Sequence, residues 1–169
     1  MKKALFVALM AVASIAIASA QPRAIGGNIG GGIGFSYEHG FGEANMLDVA
    51  ASFPLFGVFG NEARFGIMGH VTYDWIDPFN APVPWNEKGE WHWYMGVGGA
   101  GGAYSFKDGW WYVGAAGHIG IEYDFWFPLQ LSVDYRPSIG ITNGWRDENK
   151  VHFDDHGFYG ISIGVRYKF

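Results

Sequence analysis

The sequence predicts an all-β fold: an eight-stranded, antiparallel, up-and-down β-barrel. The first observation is strict two-residue alternation, clearest from Gly157 to Phe169. Its odd positions, Tyr159, Ile161, Ile163, Val165, Tyr167 and Phe169, are all apolar or aromatic. Its even positions, Gly160, Ser162, Gly164, Arg166 and Lys168, are small, polar or charged. A period of two places one set on each face of a strand. The second observation is composition: 27 glycines in 169 residues, 18% aromatics and only 16% charged residues. An average soluble domain carries roughly 7% glycine and 25% charged residues. Disordered chains also run to glycine, but they lack aromatics. Glycine with rings and alternation therefore suits a sheet closed tightly on itself. The third observation is the number of alternating segments, which comes to eight if Gly30-Gly31-Gly32 is a turn and seven if it is not.

In chain order, Ile25 to Tyr37 alternates around Gly30-Gly31-Gly32. This reads either as one long strand or as a hairpin; the hairpin is preferred, because a three-residue glycine loop keeps the phase. It sets Ile29 opposite Ile33, Gly27 opposite Phe35 and Ile25 opposite Tyr37, the ring covering the bare glycine backbone. Leu47 to Phe53 and Phe65 to Trp75 alternate next, followed by a proline-rich loop, Asp77 to Lys88. Trp91 to Val97 alternates and runs into Gly98 to Gly102, where the phase is hard to read. Lys107-Asp108-Gly109 signals a tight turn. Trp111 to Tyr123 and Leu129 to Tyr135 form a pair around Phe127, with Glu122 facing Ser132, Gly120 facing Asp134 and His118 facing Arg136. Thr142 to His156 reads as a polar loop before the last strand. Eight strands of roughly 9–11 residues match the length that crosses a bilayer at a tilt.

The chain opens Met1-Lys2-Lys3, runs apolar from Ala4 to about Ile17, and reaches Ala18-Ser19-Ala20. A basic start, a short apolar core and an A-x-A ending predict a cleavable signal peptide over 1–20, leaving a barrel over 21–169. The apolar run is too short for a membrane helix, which needs roughly 20 residues. The leader holds two of the eleven basic residues and no acid, so the rest has nine bases against sixteen acids. An acidic chain argues against nucleic acid as a partner. Without cysteine there is neither a disulfide framework nor a thiolate metal site.

Which face points inward decides the class. The even face repeats glycine and alanine, as at Gly114, Ala116, Gly120, Gly160 and Gly164. Such a face suits a crowded interior and makes a poor soluble exterior. The odd face carries rings near strand ends, among them Tyr37, Trp75, Trp91, Trp93, Trp111, Tyr123, Tyr135, Tyr167 and Phe169. Aromatic belts at the two interfaces mark a spanning barrel, and only a closed sheet satisfies its backbone in lipid. The expectation is a transmembrane barrel with its oily face outward.

Three segments strengthen this by likeness: Ile119-Gly-Ile-Glu-Tyr-Asp-Phe125, Pro128-Leu-Gln-Leu-Ser-Val-Asp-Tyr-Arg-Pro137 and Val165-Arg-Tyr-Lys-Phe169. With the leader, they resemble small outer-membrane β-barrel proteins of Bacteroidetes-type Gram-negative bacteria, similar in build to the eight-stranded domain of outer-membrane protein A. The resemblance implies export to the cell outer membrane and contact with its lipid and lipopolysaccharide. It implies a monomer with both termini in the periplasm. It also implies a terminal assembly signal read by the outer-membrane assembly machinery, here Tyr159, Ile161, Ile163, Val165, Tyr167 and Phe169.

The even face also gathers ionisable groups: Glu38, Asp48, His70, Asp74, His118, Glu122, Asp134, Arg136, Arg166 and Lys168. An eight-stranded barrel is just wide enough for side chains to fill. Buried charge must be paired, so these residues are expected to form an interior salt-bridge network. The function expected is structural or surface-interacting. The alternatives are a narrow, porin-like ion path, a secreted soluble barrel binding an apolar ligand, and a lipid A-modifying hydrolase or acyltransferase. Ser105, Ser132 and Ser162 lack any nucleophile motif, so no catalytic residue and no cofactor are expected. His152 and His156 flank Asp154 and Asp155, but two histidines in a polar loop are weak grounds for a metal site.

Overall fold

The glycine triplet turns the chain where the alternation requires it. Ile29 pairs with Ile33, Gly27 with Phe35 and Ile25 with Tyr37. In the computed structural model this hairpin joins β1 (Gln21–Ile29) to β2 (Gly32–Gly40). The structure describes residues 21–30, 32–54, 66–77, 88–104, 110–143, 152–154 and 161–169. The chain continues through β3 (Asn45–Pro54), β4 (Gly66–Ile76), β5 (Gly89–Tyr104) and β6 (Trp110–Phe125). It ends with β7 (Gln130–Tyr135), β8 (Ser138–Thr142), β9 (His152–Asp154) and β10 (Ile161–Lys168). No helix occurs among the described residues.

All pairings are antiparallel. Neighbours run β5-β4-β3-β2-β1-β10-β7-β6, and β6 pairs back onto β5. This closes an eight-stranded barrel in which β7 with β8, and β10 with the short β9, each occupy one position. Closure leaves each described strand but the short β9 with a neighbour on both sides, so the ring presents no open sheet edge there. The 126–129 turn, like the start of β1 and the end of β10, lies at one rim, called here the terminal end.

The seventh barrel strand runs further than the sequence indicated. Glu122 faces Ser132 and Gly120 faces Asp134 as expected, and the ladder then breaks at Arg136-Pro137. His118 and Arg136 are therefore not a ladder pair. Proline has no N–H to return to the neighbouring strand. The one remaining bond is made, from Gly117 N–H to the Pro137 carbonyl at 2.8 Å. Pairing resumes unshifted at Ala116 with Ser138, so β8 continues the same strand. The polar loop expected from Thr142 to His156 is thus shortened: Thr142 belongs to β8 and 152–154 to β9. The glycine run from Gly98 to Gly102 stays in phase within β5. The turn expected at Lys107–Gly109, and the ends of the loops at 55–65 and 78–87, lie outside the described residues.

From Ala24 to Lys168 every ladder joins even residues to even and odd to odd. Parity alone therefore decides the face. The even face is enclosed: Tyr94, Met46, Glu38, Asp48, Asp74, Glu122 and Asp134 have no exposed surface. The odd face is open: Ile29 is 67% exposed, Ile163 58% and Val97 62%. The oily side points out and the ionic side in, reversed from a soluble barrel.

Candidate functional site: a charged lumen and its mouth

The lumen is organised by Arg166, the largest fully buried side chain. It projects from β10, and Gly164, one inward position earlier, leaves room beside its guanidinium. Its Nε donates to Ser36 Oγ at 2.9 Å, and its Nη1 donates to Gln130 Oε1 at 3.1 Å and Ser132 Oγ at 2.8 Å. Nη2 donates to Asp134 Oδ2 at 3.4 Å. Nη1 also sits 3.0 Å from Glu38 Oε1, an ion pair outside hydrogen-bonding angles. One guanidinium thus ties β2, β7 and β10 together across the barrel, using the fixed fork that lysine lacks.

Asp134 is the second hub. It accepts from the Tyr94 hydroxyl, from Ser132 Oγ at 2.9 Å and from Arg166. His118 places Nε2 3.4 Å from Asp134 Oδ1 and Nδ1 2.9 Å from Asp74 Oδ2, so its ring bridges two carboxylates. Its ring also packs on Tyr94, with centroids 4.9 Å apart. Towards the far rim, Arg136 grips Asp48 through both Nη atoms, the Nη2–Oδ2 distance being 3.3 Å. Beyond it the lumen turns apolar at Met68, Ala100, Tyr112 and Ala116.

Towards the terminal end, Arg23 donates to Glu38 Oε2 at 2.8 Å and to both oxygens of Glu122. Lys168 Nζ lies 3.1 Å from Asp124 Oδ2. At the rim, His92 Nδ1 is 2.6 Å from Asp77 Oδ2, and Asp77 also accepts from Trp93 N–H at 3.0 Å. These charges are held by partners because an isolated buried charge is strongly disfavoured.

Glu38, Asp48, Asp74, His118, Glu122, Asp134, Arg136 and Arg166 are all buried inside; ion pairs join seven of them to one another, and Glu122 pairs with Arg23. His70 shares the inward face but is half-buried, and Lys168 sits at the mouth. Ile161, Ile163, Val165, Tyr167 and Phe169 lie exposed on the outer face, whereas Tyr159 lies outside the described residues. Ser132 is committed to Arg166 and Asp134, and Ser105, Asp155 and His156 lie outside the described residues.

Sequence reasoning missed Tyr94, Asp124, Gln130 and Arg23. The first three are even-numbered strand residues, so parity was the available signal. Arg23 had none. Pro22 pairs with His39 and Ala24 with Glu38, leaving Arg23 as the extra residue of a β-bulge. A bulge re-aims a side chain, and here it turns an odd-numbered arginine inward.

No protein-family model, curated protein or solved structure matches this chain.

Proposed function

We propose that this chain is an integral outer-membrane β-barrel with a side-chain-filled interior, serving a structural or surface-interaction role. On this reading, residues 1–20 direct export and are removed. The barrel resides in the outer membrane of a Gram-negative, Bacteroidetes-type bacterium as a monomer, with both termini in the periplasm. The odd positions from Ile161 to Phe169 act with Tyr159 as its assembly signal. Its partners are the lipid and lipopolysaccharide around it and the machinery that inserts it.

The observation that carries the reading is the reversal of faces. Large apolar side chains from Ile29 to Phe169 stand exposed around the ring, while Arg166, Asp134, Glu122 and their partners are enclosed. Soluble monomers rarely expose contiguous apolar patches above a few hundred Å². In lipid the same belt is at home, and the closed ladder satisfies the backbone. Rings gather near the terminal end: Trp91 packs on Tyr123, Tyr123 on Phe125, and Tyr167 on Phe169. Such rings suit the headgroup level of a bilayer. A soluble barrel holding an apolar ligand would need the opposite lining. The ion pairs that cross the lumen also disfavour a wide pore.

Fractionation tests the proposal. The expressed protein is expected to stay with the outer-membrane fraction through salt and carbonate washes and to leave only with detergent. Release by carbonate alone would overturn it.

A further inference from the structure

We propose that the barrel sits tilted in its membrane, with the 126–129 turn sunk into the lipid headgroup layer and the opposite corner of the same rim left in water. This rests on the membrane reading above. It adds which surface anchors the terminal end and which way the barrel leans.

The turn is apolar throughout: Trp126, Phe127, Pro128 and Leu129. Turns that face water are dominated by Gly, Asn, Asp and Ser beside proline. Trp126 is 68% exposed and Phe127 42%, so the barrel itself does not cover these rings. They are nevertheless held in place. Phe127 packs on Phe125 with ring centroids 5.0 Å apart, and Trp126 lies 5.9 Å from Phe125 and 5.1 Å from Phe127. Phe125 in turn packs on Tyr123 at 4.7 Å, and Tyr123 on Trp91 at 4.9 Å. Trp91, Tyr123 and Phe125 belong to the outward, odd-numbered face. The rings of the turn therefore extend the outer belt past the end of β6. None of residues 126–129 lines the cavity at the mouth.

The backbone suits the same place. Phe125 N–H donates to the Leu129 carbonyl at 3.0 Å, and Leu129 N–H donates to the Phe127 carbonyl. Pro128 has no N–H to satisfy. A turn with so few free donors loses little by leaving bulk water. The occupant follows from continuity: whatever covers Tyr123 and Phe125 also reaches Trp126. On the membrane reading that is the boundary between headgroups and acyl chains. There the apolar body of an indole and its N–H both find partners.

The facing corner is built differently. The strand order places the β2–β3 turn half-way round the ring from the β6–β7 turn. Its tip is Gly42, Glu43 and Ala44, all exposed. Phe41 lies back on Tyr73 at 6.2 Å, and Gly42 and Glu43 line the mouth. A carboxylate there resists dehydration. The apolar surface thus reaches beyond the strands on the β6–β7 side and stops at them on the β2–β3 side. Interfacial aromatic anchors set tilt, and a slanted belt meets a flat bilayer by leaning.

The chain has no cysteine, so one introduced thiol gives one labelled site. The test uses the full chain refolded into phosphatidylcholine vesicles. Three separate proteins, Leu129→Cys, Ala44→Cys and Ile163→Cys, carry an environment-sensitive fluorophore. Depth is read by quenching from spin-labelled lipids and from aqueous iodide. The 163 label is expected in hydrocarbon. The 129 label is expected about 5–10 Å into the headgroup–acyl boundary. Iodide is expected to quench it several-fold less than the 44 label. Adding Trp126→Ser with Phe127→Ser is expected to open the 129 label to iodide. Should Leu129→Cys fail to fold, Pro128→Cys carries the same reading. A 129 label as open to iodide as the 44 label, with the 163 label in hydrocarbon, would overturn the tilt and leave the membrane barrel standing. A 163 label in water would remove the membrane reading and the tilt together. Unchanged depth at 129 in the serine variant would show that these rings are not the anchor. Shielding of the 129 label in native envelopes but not in vesicles would mean that a protein covers the turn, which also overturns the proposal.

Discussion

Tyr94 on β5 reaches across the lumen to donate its hydroxyl hydrogen to Asp134 on β7, and its ring fills the space above Gly120 on β6. A Cβ added at Gly120 would lie 2.7 Å from Tyr94 Cε2 and closer still to the hydroxyl end of the ring. The small residue and the large one are a single packing unit. Gly120→Val is therefore expected to destabilise the barrel by about 1–3 kcal/mol or more, by overpacking. Gly99 points outward, where a Cβ would meet nothing nearer than the Gly114 carbonyl at 3.7 Å. Gly99→Ala is expected to stay within about 1 kcal/mol of the parent. Urea unfolding read by tryptophan fluorescence compares the two, and equal losses would contradict the assigned faces.

Arg166 allows a sharper test of the lumen. Its guanidinium holds Ser36, Gln130, Ser132 and Asp134 at once, with Glu38 beside it. Arg166→Met keeps much of the volume but removes the cation that Glu38 shares with Arg23 and that Asp134 shares with His118 and Arg136. Breaking a buried pair by removing one partner costs about 3–5 kcal/mol. Arg166→Lys restores charge but not the fork, so its loss is expected to fall between the two. Unfolding midpoints of the three proteins in the same micelles check the order.

Arg23 makes the bulge a testable feature. Because it alone serves both Glu38 and Glu122, Arg23→Ala is expected to cost about 3–5 kcal/mol, comparable to Arg166→Met. An odd-numbered residue facing outward would instead cost little. Adding Glu122→Gln to Arg23→Ala removes one stranded charge and is expected to recover part of the loss. Additive losses in this double-mutant cycle would show that the two side chains do not meet.

Much of this architecture was legible because parity survives the whole chain. The Gly30–Gly32 turn has an odd number of residues, so the phase set in β1 passes intact into β2, and every ladder pairs like with like. Glu38, Asp48, Asp134 and Arg166 could therefore be placed on one face from residue numbers alone. Three features escaped for physical reasons. Pro137 interrupts a ladder without shifting it, which reads in sequence as the end of a strand. Asp124 and Gln130 obey the same parity but flank the 126–129 turn, so they read as strand ends rather than as lumen residues. Arg23 departs from parity through a bulge, and a bulge depends on the partner strand's register.

The outer face yields the last prediction. Ile163 sits on β10, paired with Ile29 and Val133 on the two neighbouring strands, all three exposed and apolar. If that surface meets acyl chains, Ile163→Arg places a charge in hydrocarbon, at roughly 2–4 kcal/mol near the midplane. Ile163→Leu is expected to assemble normally. Ser162→Arg lies one residue away on the inward face, opposite Asp134, and is expected to fail by crowding instead. Folding yield into lipid vesicles separates the two causes. The Ile163→Arg defect is expected to shrink in a thinner bilayer, where the site lies nearer the interface, whereas the Ser162→Arg defect is expected to ignore thickness. An Ile163→Arg protein that inserts as well as Ile163→Leu would mean that this face does not touch lipid.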